Sequence, residues 1–250
     1  MLKMLDLFSG IGGFSYAGEK LVGGYETVAF CEYDKHCQRV LRKHWPDTEI
    51  IDDVRELAAN CFRFRENIDV ITGGFPCQDI SYAKKNAEGI YGKRSGLWRV
   101  YANIIEIVRP SWVIIENSPA LLNRGFASVL QDISQIGYDA EWHCISASSI
   151  GTPHKRERLF VVAYPNNRRT PLRWHRCFQE NEEAGANGVD YRSRNEKPHI
   201  WRWRQEQPRP YGMADGIPNR IHRLRELGNS IVPPIAARIL WAIKEAENGA

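Results

Sequence analysis

The chain has 250 residues, 43% of them hydrophobic and 26% charged, with a formal net charge of +4. That balance fits a globular α/β domain, alone or with a small appendage, and excludes a disordered or fibrous chain. No apolar run approaches the ~20 residues of a membrane span and the first residues lack the apolar stretch of a secretory leader, so a cytoplasmic protein without a membrane partner is expected.

Met1 to Phe8 is apolar apart from Lys3 and Asp6 and reads as a buried first strand. Ser9-Gly10-Ile11-Gly12-Gly13-Phe14 follows at once, and Phe14, Ala17 and Leu21 fall at helical spacing. A strand, a glycine turn and a helix in that order let backbone approach a ligand at a helix N-terminus, although the spacing is not G-x-G-x-x-G. Thr27 to Cys31 is a second strand. It ends in Glu32, about 20 residues beyond the glycines, where an acidic side chain can hold a nucleotide ribose. Asp34 to Trp45 reads as a helix, with Asp34 as N-cap and Pro46 beyond its end. Glu49 to Ile51 is a short strand. Asp53 then either accepts from an exocyclic amine or caps a helix over Val54 to Cys61; the sequence leaves both open.

Ile68 to Thr72 has the β-branched composition of a parallel strand and runs into Gly73-Gly74-Phe75-Pro76-Cys77-Gln78-Asp79-Ile80-Ser81. Two glycines permit a sharp turn, and Pro76 fixes φ just before the thiol. Cysteines stand at 31, 37, 61, 77, 144 and 177, with no C-x-x-C pair. Free thiols and no metal site are therefore expected; Cys31, His36 and Cys37 lack a second ligand pair. Five of the cysteines read as small hydrophobes. Cys77, at the carboxyl end of a buried strand where open α/β sheets place their ligands, is the candidate nucleophile. The polar loop onward to Gly96 has the length of a lid, and Lys84, Lys85 and Arg94 suit it to a phosphate backbone.

Leu97 to Val108 is a helix. Trp112 to Ile115 is a strand ending in Glu116-Asn117-Ser118-Pro119, which sets a carboxylate beside the cysteine strand. Ala120 to Ile136 reads as one helix ended by Gly137, Tyr138 to Ser146 as a strand, Gly151 to Arg158 as a polar turn, and Leu159 to Ala163 as a further strand. This alternation over residues 1–163 predicts a mostly parallel sheet with helices on both faces. Residues 165–225 hold thirteen basic side chains against seven acidic ones, with Trp174, Trp201 and Trp203 among them. Arginine interleaved with aromatics is the composition of a nucleic-acid surface. Gly228 to Pro234 opens a last helix, Ile235 to Glu247, with Ile235, Ile239, Leu240 and Ile243 on one face. The expected division is 1–164 catalytic and cofactor-binding, 165–225 a small basic target-recognition lobe, and 226–250 a segment returning to the first unit.

Five stretches, in order, resemble the DNA (cytosine-5)-methyltransferases. DLFSGIGGF at 6–14 looks like their cofactor motif, and GGFPCQDIS at 73–81 like their Pro-Cys motif. ENSP at 116–119 is similar to their Glu-Asn motif, with Ser118 where valine is more usual. GTPHKRERLFVVA at 151–163 resembles their Gln-x-Arg-x-Arg motif, with His154 in place of the glutamine. GNSIVPPIA at 228–236 looks like the last motif. The region between Ala163 and Gly228 is far shorter than in most members and resembles compact phage and prophage ones.

The resemblance implies a Rossmann-like class I methyltransferase fold using S-adenosylmethionine. It implies methylation of carbon 5 of a flipped-out cytosine in duplex DNA through a Cys77 adduct at carbon 6. By the same resemblance Glu116 contacts the ring nitrogen and exocyclic amine, Arg158 holds the base and Glu116, and Arg156 supports the loop. Phe8, Gly10, Ile11, Gly12, Glu32, Tyr33, Asp53, Pro76, Leu97, Asn229 and Ser230 are implied around the cofactor, and Phe75, Gln78, Ser81, Asn117 and Arg94 around the substrate. Implied partners are duplex DNA and a cognate restriction endonuclease. Two rivals are a tRNA-methylating member of the fold, whose Cys-Phe-Thr tripeptide is absent from the sequence, and an inactive DNA-binding relative, disfavoured by intact Cys77, Glu116, Arg156 and Arg158. A nicotinamide-dependent oxidoreductase is remote, since it would leave Cys77 unexplained.

Overall fold

The computed structural model describes residues 1–76, 96–150, 156–168, 172 and 230–248. Their strands are β1 (Leu2–Leu7), β2 (Tyr25–Cys31), β3 (Glu49–Ile51), β4 (Val70–Gly73), β5 (Trp112–Asn117), β6 (Tyr138–Ser146) and β7 (Glu157–Pro165). They form one sheet in the order β3-β2-β1-β4-β5-β7-β6. The first five are parallel, and β7 runs antiparallel to both β5 and β6. The class I methyltransferase arrangement expected from the sequence is therefore present, with its parallel sheet completed by an antiparallel pair at one edge.

Helix α1 (Gly13–Tyr16) widens into a π-helical turn, Ala17–Val22; α2 (Lys35–His44), α3 (Val54–Asn60), α4 (Leu97–Val108), α5 (Phe126–Gln135) and α6 (Pro233–Asn248) complete the set. β4 and β5 are buried throughout and β1 over its last four residues, so their side chains divide by alternation between two cores. Leu5, Leu7, Ile71, Val113 and Ile115 pack with Leu57, Trp98, Ile105 and Val129 of α3, α4 and α5. Met4, Val70, Trp112 and Ile114 face the other way, onto Phe14 of α1 and Ile235, Ile239, Leu240 and Ile243 of α6. The four apolar positions expected on one face of the last helix thus all enter one core. Asp34 caps α2 as expected, accepting from the backbone N–H of His36 at 2.7 Å.

Four local expectations are corrected. Residues 120–136 are not one helix. A 3-10 turn, Pro119–Asn123, precedes α5, and between them Gly125 sits at φ 126, a conformation glycine alone adopts cheaply. The first helix widens because Gly23 N–H reaches back five residues to the Gly18 carbonyl at 2.8 Å. Strand β5 runs through Asn117, because β7 pairs with it as far as Asn117 and Leu159. Strand β7 in turn begins at Glu157, so Arg158 lies on a strand and not in a turn. The described helices include none long and apolar enough to cross a membrane.

One polar cluster fixes α6 to the sheet. Glu247 accepts from the indole N–H of fully buried Trp112 at 2.6 Å and from Arg168 at 2.7 Å, and the Arg168 guanidinium lies 4.2 Å over the Trp112 ring. Removing the carboxylate leaves a buried N–H unmet. Glu247→Ala is therefore expected to cost about 1–3 kcal/mol. The urea midpoint should fall while the slope of the transition stays unchanged.

Candidate active site

The strand order reverses on either side of β1 and β4, which is where an open α/β sheet forms its crevice. In register, Leu7 of β1, Gly73 of β4 and Ile115 of β5 lie side by side; β1 and β4 end there, while β5 runs two residues further along β7 and so carries Glu116 past the ends of its neighbours. The space between them is tight. A Cβ on Gly73 would lie 2.6 Å from the Leu7 carbonyl oxygen, and one on Gly74 would lie 2.8 Å from Oε2 of Glu116. Glycine is needed at these two positions for close approach as well as for a turn.

Glu116 is 8% exposed. Its Oε1 lies 2.9 Å from Nε of Arg158, which reaches it from the adjacent antiparallel strand β7. Burial pushes the carboxyl's pKa up, while Arg158 and, more weakly, Arg156 pull it down. Burial likewise lowers the pKa of Arg156, with repulsion from Arg158 acting in the same direction and Glu116 against it. The Arg156 carbonyl accepts from Ala147 N–H at 2.7 Å and so closes the turn after β6. The structure thus brings Glu116, Arg158 and Arg156 within electrostatic reach of one another.

Two residues expected at the substrate are differently employed. Phe75 is 2% exposed, its ring centroid 5.4 Å from that of Trp98. Its side chain is part of the core. Asn117 is 3% exposed; its Nδ2 donates to the Phe75 carbonyl at 3.2 Å and its Oδ1 accepts from Ser118 N–H at 2.8 Å. It braces the chain just ahead of Cys77. Cys77, Gln78, Ser81, Arg94, His154 and Asn229 lie outside the described residues, as do the loop between Gln78 and Ser95 and nearly all of the basic lobe, including its three tryptophans.

Beyond β1 the backbone is contorted. Phe8 has φ 51 and Gly10 φ 55. A left-handed non-glycine residue costs of order 1–3 kcal/mol and is held only where its surroundings fix it. Here they do. The Glu32 carboxylate takes the Gly10 N–H on one oxygen and the Asp34 N–H on the other, each at 2.7 Å. Burial raises the Glu32 pKa, opposed chiefly by these two N–H groups. A Cβ at Gly10 would meet nothing within 4 Å, so the turn has open space on that side. The lone-pair positions of Glu32 that these N–H groups leave open can accept from hydroxyl donors.

The other residues expected around a cofactor surround this turn unevenly. Tyr33 is 79% exposed, Ile11 is half-buried, and Leu97 packs half-buried at the start of α4. Asp53 caps α3, accepting from Arg55 N–H at 2.8 Å, so one of its two open readings is met. Ser230 and Ile231 seat on the start of α1, where a Cβ at Gly13 would lie 2.6 Å from Cγ1 of Ile231. The last motif thereby comes back to the first. One group was not anticipated: Asp6, fully buried, with Ser15 and Thr72 on its carboxyl. Its only sequence signal is a single acid in a strand that is apolar but for Lys3.

Comparison with known proteins bears on this geometry. Residues 2–215 match the family of C-5 cytosine-specific DNA methylases. The Type II methyltransferase M2.BsuMI of Bacillus subtilis is 38% identical over 170 residues, 65% of this chain and 42% of that protein. The Type II methyltransferase M.Sau3AI of Staphylococcus aureus is 30% identical over 200 residues, 72% of this chain and 46% of that protein. The chain thus spans less than half the length of these relatives. Among solved structures, a putative DNA modification methyltransferase encoded within an E. coli prophage has a TM-score of 0.67 at 16% identity, covering 99% of this chain and 100% of its own. Spodoptera frugiperda DNMT2 has a TM-score of 0.58 at 21% identity, covering 69% of this chain and 53% of its own. Both are likenesses of fold. The family match extends from the glycine turn through Glu116 and Arg158, and the chain belongs to the C-5 cytosine-specific DNA methylases.

Proposed function

We propose that this protein methylates carbon 5 of cytosine in duplex DNA, with Cys77 as nucleophile. The observation that carries the reading is Glu116: a buried carboxyl paired with Arg158, against the backbone of Gly74, three residues ahead of the thiol. Carbon 5 of cytosine does not take a methyl group unaided. Addition of the Cys77 thiolate to carbon 6 makes it enamine-like. That addition pushes negative charge onto the ring, and a proton or strong hydrogen bond from Glu116 to the ring nitrogen offsets it. Arg158 holds Glu116 in place, and Arg156 supports the turn behind it. Once carbon 5 carries the transferred methyl group, loss of its proton restores the double bond and expels Cys77 as the thiolate. The base must leave the duplex for any of this, and the length and basic residues of the loop that carries Ser81 and Arg94 support a part for it in holding the flipped base.

The residues around Gly10 fit S-adenosylmethionine, which when bound supplies an electrophilic methyl group. Glu32 would take the ribose hydroxyls on its free lone pairs, and Asp53 the adenine amine. The turn from Phe8 to Gly12, with Tyr33, Pro76, Leu97, Asn229 and Ser230, would enclose the remainder. The name Type II methyltransferase, borne by the relatives, supports pairing with a restriction endonuclease, and the arginine–tryptophan lobe supports target recognition.

The test is incubation with duplex DNA and labelled cofactor, followed by sequencing for methylcytosine. Label in duplex cytosine at carbon 5 is expected; label confined to tRNA would overturn the assignment to DNA. Cys77→Ser is expected to reduce turnover to background. Glu116→Gln should lower the initial rate by about 10²–10⁴-fold. Because burial raises the Glu116 pKa, its acid form persists above the ordinary glutamate range and is lost as pH rises through the folded value. The decline in wild-type rate on that side should therefore be missing from the residual rate of Glu116→Gln. Gly74→Ala drives a methyl group onto Glu116 and should cost on the order of 10²-fold in rate, with a lower urea midpoint reflecting about 1–3 kcal/mol of overpacking.

A further inference from the structure

Asp6 of β1 is fully buried, and the reaction above gives it no part. Its Oδ1 accepts from Thr72 Oγ1 at 2.7 Å and its Oδ2 from Ser15 Oγ at 3.1 Å, while its backbone carbonyl accepts from Ser9 Oγ at 2.5 Å. One residue therefore joins three places: Ser9 before the glycine turn, Ser15 after it, and Thr72, two residues ahead of Gly74. Both side-chain partners are uncharged hydroxyls. The titratable groups facing it are Glu32 at the end of β2 and Glu19 in the π-helical turn, both acidic, and Tyr101 of α4, whose own burial keeps it neutral. Burial without a compensating cation, opposed by the two hydroxyl hydrogen bonds, raises the Asp6 pKa to about 7.

The hydroxyls respond to that proton. Towards a carboxylate, Thr72 and Ser15 both donate. Towards the acid, one carboxyl oxygen is itself a donor, so one hydroxyl must turn and accept. The proton thus changes hydrogen bonding at the glycine turn or at β4.

We propose that Asp6 is a positioning residue that gives up a proton to solvent when a sulfonium cofactor occupies the glycine turn and regains it once the methyl group has gone, switching the hydrogen bonds of Thr72 and Ser15. This rests on the cofactor reading above. A cation nearby favours a buried anion, whereas the neutral thioether product does not.

Asp6→Asn tests it, because the amide keeps the shape and permanently presents one donor and one acceptor, as the acid does. Calorimetric titrations at pH 7, in buffers of different ionisation enthalpy, count protons released on binding S-adenosylmethionine and S-adenosylhomocysteine. A tenfold displacement of the Asp6 proton equilibrium gives release of roughly 0.4 proton per cofactor. Wild type should release that with S-adenosylmethionine and less with the product, and Asp6→Asn should lose the difference. Equal release with both ligands, or an undiminished difference in Asp6→Asn, would overturn the proposal. Failure of both ligands to bind would instead refute the cofactor reading, and the proposal with it. A second readout needs no ligand. A folded pKa above the unfolded one contributes stability below the unfolded value that is lost as pH rises through the folded value. Wild type should therefore lose stability relative to Asp6→Asn between about pH 4 and pH 7; a gap in urea midpoint that stays constant over this range contradicts the proposal.

Discussion

At the end of β4 the backbone passes between a carbonyl of β1 and a carboxylate of β5 with no room for a side chain on either approach. Gly73 comes against Leu7 and Gly74 against Glu116, each within 3 Å of where a Cβ would stand. That fit draws the two halves of the site together. The contorted turn after β1 lies on one side, and the Glu116–Arg158 pair on the other. The chain entering Cys77 is held from behind, by Phe75 on Trp98 and by the Asn117 amide on the Phe75 carbonyl. A reacting centre placed within about 0.5 Å needs such a supporting shell, and here regular strands and helices supply it.

Glu116, Glu32 and Asp6 stand along the carboxyl edge of this sheet, and the chain treats each differently. Glu116 has arginines, which pull down a pKa that burial raises. Glu32 has backbone N–H groups and holds the strained turn with them. Asp6 has only hydroxyls, and burial raises its pKa to about 7. Burial acts on all three in the same direction, and what opposes it differs at each: arginines, backbone N–H groups or hydroxyls. Breaking the Glu116–Arg158 pair would leave an uncompensated buried charge, for which a cost of about 3–5 kcal/mol is typical.

Much of this was legible in the sequence where a signal was local. β3, α4 and β6 begin and end where periodicity and turn residues place them, and Asp34 caps α2 because its side chain needs only the next two or three N–H groups. What was not legible depended on distant partners. Glu116 was expected just beyond a strand, but antiparallel pairing with β7 carries the ladder past it. Phe75 was expected to face a ligand, but Trp98 of α4 claims its ring. An isolated glycine inside a helical pattern is ambiguous, and at Gly125 the φ of 126 decides for a break. Asp6 opens the DLFSGIGGF stretch, yet its surroundings emerge only when Ser15 and Thr72 are brought to it from different elements.

The central claim is that Cys77 attacks a cytosine opposite Glu116. It is tested most directly by trapping the adduct: the protein is incubated with S-adenosylmethionine and a duplex carrying 5-fluorocytosine, digested, and the modified peptide identified by mass. Carbon 5 then carries fluorine in place of the proton that must leave, so the adduct cannot collapse. The account predicts a methylated fluorocytosine on the peptide containing Cys77. An adduct on any other residue, or none from a preparation that methylates the unsubstituted duplex, would contradict it.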